Sequence, residues 1–130
     1  MVLNKKKLLS AMALKTKTVK LPEGGVIVSE ITADDYLEIC NLSADGGIES
    51  ADAQGNIKLN MKKFNAALMA YCVVDEKGDR IFDNEDIPLL IKSSQKSFAI
   101  IMAGCKEMNG LVGTEGNASE PTEGGSSTGE

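Results

Sequence analysis

Apolar residues recur along this chain in short blocks whose spacing changes from helical to alternating and back. Leu8, Leu9 and Met12 share one side of a helix over roughly residues 5–13, with Asn4 as its cap. From Lys15 to Leu21 the pattern alternates, with Thr16, Thr18 and Lys20 set against Lys17, Val19 and Leu21, which predicts a strand. Pro22-Glu23-Gly24-Gly25 is a turn signal, and the β-branched run Val26 to Ile31 reads as the second strand of a hairpin. Two strands alone are marginal in water, so the hairpin must rest on helices or pair with another chain.

Thr32-Ala33-Asp34-Asp35 sets a hydroxyl at a helix N-cap and a carboxylate three residues on. The acids at 34, 35 and 38 also suit the positive end of the helix dipole. Tyr36, Leu37, Ile39 and Cys40 carry this second helix to about Leu42. Ser43 to Gly55 is rich in Gly, Ala, Ser and Asp and predicts a long exposed loop, a pointer to a contact surface in so small a domain. Asn60 caps a third helix over roughly 61–74, with Met61, Phe64, Leu68, Tyr71 and Cys72 on its inner side. The polar turn Asp75–Asp79 ends it, and Ile81-Phe82 is predicted to re-enter the core. Asp83 or Asp86 then caps a short helix with Pro88 in its first turn. Ser93 or Ser94 caps the last helix, roughly 95–109, which Gly110 stops.

The expected architecture is α+β and mainly α-helical, with an N-terminal β-hairpin packed with three to four short amphipathic helices. It divides into a basic helical leader at 1–14, a principal domain at 15–111 and a disordered acidic tail at 112–130. That tail has no large apolar residue beyond Val112 to offset the entropy of ordering. Asn117-Ala118-Ser119 matches a glycosylation acceptor, but no secretory signal accompanies it.

Charge alters this picture in one respect. The net charge is −5, unevenly spread: residues 1–20 carry six lysines and no acid, whereas residues 21–57 carry eight acids and no base. The two segments can pair within the fold, or between neighbouring subunits, or the lysines can serve as a nucleic-acid arm. The third is the weakest, since no aromatic residue accompanies the lysines. No apolar run reaches the roughly 20 residues that span a bilayer, and the leader is too quickly recharged to be a signal sequence. Neither nucleic acid nor membrane is an expected partner.

Candidate chemistry is sparse. The chain has no histidine, which removes the commonest general base and the Ser/His and Cys/His pairs. Cys40, Cys72 and Cys105 are odd in number and more than thirty residues apart, which suits neither a disulfide framework nor a zinc site; they read as small hydrophobes in a reducing compartment. Asp75, Asp79, Asp83 and Asp86 fall at the first, fifth, ninth and twelfth places of a calcium loop. Lys77 stands at the third place, Arg80 replaces the glycine of the sixth, and Asp replaces the bidentate Glu. This segment reads as a helix end, a turn and a fresh cap. No catalytic residue, cofactor or metal site is expected.

Methionines 12, 61, 69, 102 and 108 with Phe64, Phe98 and Ile101 form adaptable apolar stripes, a composition common in cores and also in surfaces that accept varied partners. The last helix has few charges, and its face of Phe98, Ile101, Met102, Cys105 and Met108 is the candidate partner-binding set.

The layout also resembles a known family, the tail assembly chaperones of long-tailed, siphovirus-like bacteriophages. The resemblance covers roughly residues 15–111. It runs from Lys20-Leu21-Pro22-Glu23-Gly24-Gly25-Val26-Ile27-Val28 through Ile31-Thr32-Ala33-Asp34-Asp35-Tyr36. It is most specific at Val73-Val74-Asp75-Glu76-Lys77-Gly78-Asp79-Arg80-Ile81-Phe82, then continues through Leu89-Leu90, Ser93-Ser94 and Met108-Asn109-Gly110-Leu111. The lysine-rich leader and the loop at 43–56 depart from it. The resemblance implies a non-enzymatic protein of the infected cell's cytoplasm, absent from the mature virion. It would bind the tape measure protein and keep it soluble and extended until the tail tube polymerises. It also implies the major tail protein and further copies of the chain as additional partners. The alternative is a structural virion component such as a tail-completion or connector subunit; a metal-responsive regulator is the third.

Overall fold

The computed structural model describes residues 2–44, 53–54 and 59–111. Most of the loop expected after Ser43, the acidic tail and the Asn117 acceptor lie outside them.

Local side chains start most of the helices. Asn4 accepts the N–H of Lys7 at 2.9 Å to open α1 (Lys5–Ala11). Thr32 accepts that of Asp35 at 3.0 Å to open α2 (Ala33–Ser43). Asn60 accepts that of Lys63 at 3.2 Å to open α3 (Met61–Cys72), and Ser94 faces Ser97 N–H at 3.5 Å at the start of α5 (Gln95–Met108). Each cap satisfies one of the donors a helix start leaves free. The short α4 (Ile87–Ile91) has Pro88 in its first turn and follows a 3-10 turn at Asn84–Asp86 capped by Asp83. At the far end of α5, Leu111 N–H reaches Lys106 C=O at 2.8 Å and Gly110 N–H reaches Glu107 C=O at 3.3 Å. Gly110 adopts φ +67° there, the left-handed turn that a residue without Cβ takes at no steric cost.

β1 (Thr16–Leu21) and β2 (Gly24–Ser29) form the antiparallel hairpin, with Leu21 opposite Gly24 and Thr16 opposite Ser29. A third strand, β3 (Val73–Val74), pairs with the other side of β2 and gives the order β1-β2-β3. Here the structure differs from the predicted helix over 61–74. α3 stops at Cys72, and the next two residues turn into the sheet, opposite Val28 and Ile27. Val73 and Val74 are β-branched and favour that environment.

α3 is the centre of the core. Phe64 and every residue from Ala66 to Cys72 are buried, the pattern of a helix surrounded on all sides. α2, α4 and α5 pack around it, and α5 also lies across β1 and β2. The crossing of α5 over the sheet is close: a Cβ on Gly104 would stand 2.5 Å from Cγ2 of Val19. Val28, Ile39, Leu68, Met102 and Cys105 fill the space between these layers.

α1 is the exception. It buries no residue and makes no substantial packing contact with another described element.

Candidate functional site

An open apolar groove sits where β3 ends. Asp75 stops the strand by folding its carboxylate back: its Oδ1 accepts the N–H of Lys77 at 2.8 Å and of Asp79 at 3.0 Å. The chain reverses, and Arg80 bridges back to Val74. β3 therefore covers only Ile27 and Val28 of β2, and among the described residues no strand pairs with Gly24–Val26 on that side. The result is a groove of about 350 Å³. Val26, Val73 and Val74 contribute from the sheet, Ile81 and Phe82 from the return segment and Ile101 from α5, with Asp75 and Glu76 at the rim.

Arg80 fixes the return segment. Its Nε donates to Ala70 C=O at 3.0 Å, its terminal nitrogen donates to Asn84 Oδ1 at 3.0 Å, and its guanidinium lies 3.9 Å from the centre of the Tyr71 ring. The cation–π contact and two hydrogen bonds hold Ile81 and Phe82 beside β3. Ile81 is 56% exposed, which corrects its expected return to the core; Phe82 is half-buried against it.

The five residues singled out on α5 do not form one open stripe. Met102 is 6% and Cys105 0% exposed, both inside the core. Phe98, Ile101 and Met108 are half-buried and open onto different depressions. Phe98 borders one with Lys62 and Leu90, Ile101 the groove beside β3, and Met108 one beside the leader. Of the five, Ile101 alone lines the groove. Val26, Val74 and Ile81 were not singled out from sequence, and their signal was faint: apolar residues on either side of a polar turn.

Three of the four carboxylates at the calcium-loop positions, those of Asp75, Asp83 and Asp86, accept from the protein's own backbone. Asp83 accepts from Glu85 N–H at 2.9 Å, and Asp86 accepts from Asp83 N–H at 3.0 Å; the latter, with the Asp86 N–H facing the Asp83 carboxylate, makes a capping box. Among the described residues no group of three or more Cys, Asp or Glu is arranged to hold a metal ion.

The cysteines are free. A hydrogen bond to Cys72, followed by burial, pushes the Cys105 thiol far above its ordinary range, so it stays protonated and unreactive. Asn109 Nδ2 donates to the Cys72 sulfur at 3.3 Å.

What the groove offers is apolar area with a thin acidic rim. Such a surface suits binding the greasy side of a helix or an extended segment.

No protein-family model matches the chain, and no curated protein matches it. Among solved structures, the chain is similar to the tail assembly chaperone of bacteriophage HK97, at 15% identity and a TM-score of 0.49, over 83% of this chain and 94% of that one.

Proposed function

We propose that this protein is a phage tail assembly chaperone. It binds the tape measure protein in the cytoplasm of the infected host, holds it soluble and extended, and leaves as the tail tube polymerises. The single observation that carries this reading is the apolar groove between β3, the Arg80–Phe82 return and Ile101. Six of the residues that line it, Val73 to Glu76 with Ile81 and Phe82, fall in the segment from Val73 to Phe82 that most resembles the family.

An open groove of this size accepts a few apolar side chains at a time. Many copies along a long partner would hold it by avidity, while each contact stays weak enough to be displaced. Ile101 is the α5 residue that meets the partner in this arrangement; Met102 and Cys105 support it from within.

The test is co-expression with the tape measure protein. The wild-type chain keeps the partner in the soluble fraction, and Ile81→Glu or Ile101→Glu loses that effect while the chain's own melting curve is retained. Ile81 is exposed, so its variant separates binding from folding. Equal solubilisation by both variants would reject the groove, and recovery of the chain from purified virions would reject the chaperone role in favour of a structural subunit.

A further inference from the structure

We infer that the groove beside β3 takes its partner as an added strand, an extended segment that pairs with the free edge of β2 at Gly25. The inference rests on this groove being the binding site proposed above. It adds the conformation and the side-chain pattern of what binds there.

Two bonds near the end of β2 fix the direction of its backbone groups. Glu30 N–H donates to Lys15 C=O at 2.8 Å, so Glu30 faces the β1 side. Every second residue back along the strand does the same, namely Val28, Val26 and Gly24. Ser29, Ile27 and Gly25 therefore face the other way. On that side Ser29 C=O accepts from Asn109 Nδ2 at 3.3 Å, and Ile27 stands opposite Val74 of β3. Gly25 is next in the series, but by then the chain has turned away. The N–H of Asp75 is taken by Asp79 C=O at 2.8 Å, and no described residue beyond β3 bonds to the Gly25 N–H or C=O. Both groups lie on the side where Gly25 lines the groove.

An unpaired edge is a template for another extended chain, which can take both bonds at once. An intact helix cannot, because its own ladder occupies its backbone groups. Short helices are marginal in water, so a helical partner can supply such a stretch by unwinding one turn. The opening along Gly24–Val26 is about 10 Å long at 3.3 Å per residue, room for about three residues of the partner. The middle one pairs with Gly25 through its N–H and C=O. Side chains alternate between the faces of a sheet, so its two neighbours lie on the face of Val26 and Val28. That face is apolar. A Cβ on Gly104 of α5 would meet Val19 and Val28 there, and Ile101, one turn earlier, lines the groove with Val26. The ligand is thus an extended stretch reading apolar, any residue, apolar. Asp75 and Glu76 at the rim favour a basic residue beside it.

The test uses a seven-residue capped peptide, with valine and threonine alternating between a lysine at each end. It is titrated into the isotope-labelled full chain and followed by amide NMR and hydrogen exchange. The expected result is saturable binding that shifts the Gly25 amide and protects it from exchange, weakened at least tenfold by Ile81→Glu. N-methyl groups on the threonines, whose amides face β2, weaken binding at least tenfold. N-methyl groups on the valines, whose amides face solvent, leave it within threefold. Folding of the chain does not enter this comparison, since only the peptide changes.

Equal effects of the two methylated peptides, or binding that leaves the Gly25 amide unshifted, would overturn strand addition. So would concentration-dependent protection of Gly25 in the chain alone, which is edge pairing between copies. Failure of the peptide to bind, while Ile81→Glu still abolishes solubilisation of the tape measure protein, would remove the added strand and leave the groove standing. Solubilisation indifferent to Ile81→Glu would remove both.

Discussion

The side chain of Asn109 closes the domain by accepting the backbone N–H of Ile31 on Oδ1 at 2.8 Å. The same side chain donates through Nδ2 to Cys105 C=O at 2.9 Å and Ser29 C=O at 3.3 Å. One residue at the end of α5 thereby joins the exit of β2 to the helix that crosses it. It also borders two neighbouring depressions, one lined by Ala11 and Met12 and the other by Tyr36 and Leu37.

Replacing Asn109 by Ala strands the Ile31 donor in a half-buried position. A buried donor left without a partner costs about 1–3 kcal/mol, so Asn109→Ala is expected to lower the melting temperature by several degrees. Hydrogen exchange should show the loss first at Ile31. An unchanged melting temperature together with a still-protected Ile31 amide would refute this role.

Gly104 reports on the packing of α5 against the sheet. In an ordinary helix, Gly→Ala gains about 1 kcal/mol. Here the added Cβ meets Val19 Cγ2 at 2.5 Å, and a valine side chain has little freedom to turn away. Gly104→Ala is therefore expected to be net destabilising, by about 1–3 kcal/mol. Val19→Ala removes the clashing methyl, so in a double-mutant cycle by chemical denaturation the pair should destabilise less than the sum of the singles. Simple additivity would contradict the close approach.

Arg80 should be more important for binding than for global stability. Arg80→Ala removes the cation–π contact with Tyr71 and the bond to Ala70, a loss of about 1–2 kcal/mol at a partly exposed site. The return segment carrying Ile81 and Phe82 should then loosen. Hydrogen exchange is predicted to rise over residues 79–82 while α3 stays protected. Arg80→Lys keeps the charge but not the planar fork, and should rescue only part.

The three thiols should differ in reactivity. Cys72 and Cys105 are buried and Cys40 is half-buried, and the Cys105 proton is held by the Cys72 sulfur and by burial. Alkylation of the native protein followed by peptide mass mapping is expected to label Cys40 first, with Cys72 and Cys105 modified only on unfolding. Rapid labelling of Cys105 in the native state would contradict its place in the core.

What the sequence made legible is what local chemistry decides. Asn4, Thr32, Asn60 and Ser94 cap the helices because a side-chain oxygen meets a backbone N–H two or three residues on, and Gly110 ends α5 by adopting a positive φ. No distant contact enters either choice. Val73-Val74 was a different matter. After Tyr71 and Cys72 they continue the apolar run of a helix, and only pairing with Ile27 and Val28, some 46 residues away in sequence, makes them a strand. The same limit applies to the candidate site. Helical spacing places Ile101, Met102 and Cys105 on neighbouring faces, but the close approach of β1 and β2 decides which of them stay open. Ile81 looked like a core residue because it follows a polar turn, and the Arg80 anchor instead leaves it on the rim.

The groove-mediated role is tested most directly by titrating the purified chain with helical fragments of the tape measure protein in a calorimeter, wild type against Ile81→Glu. Saturable binding by the wild type, weakened at least tenfold in the variant at equal thermal stability, is the predicted result. Identical affinities for the two chains, or no heat of binding from any fragment, would contradict it.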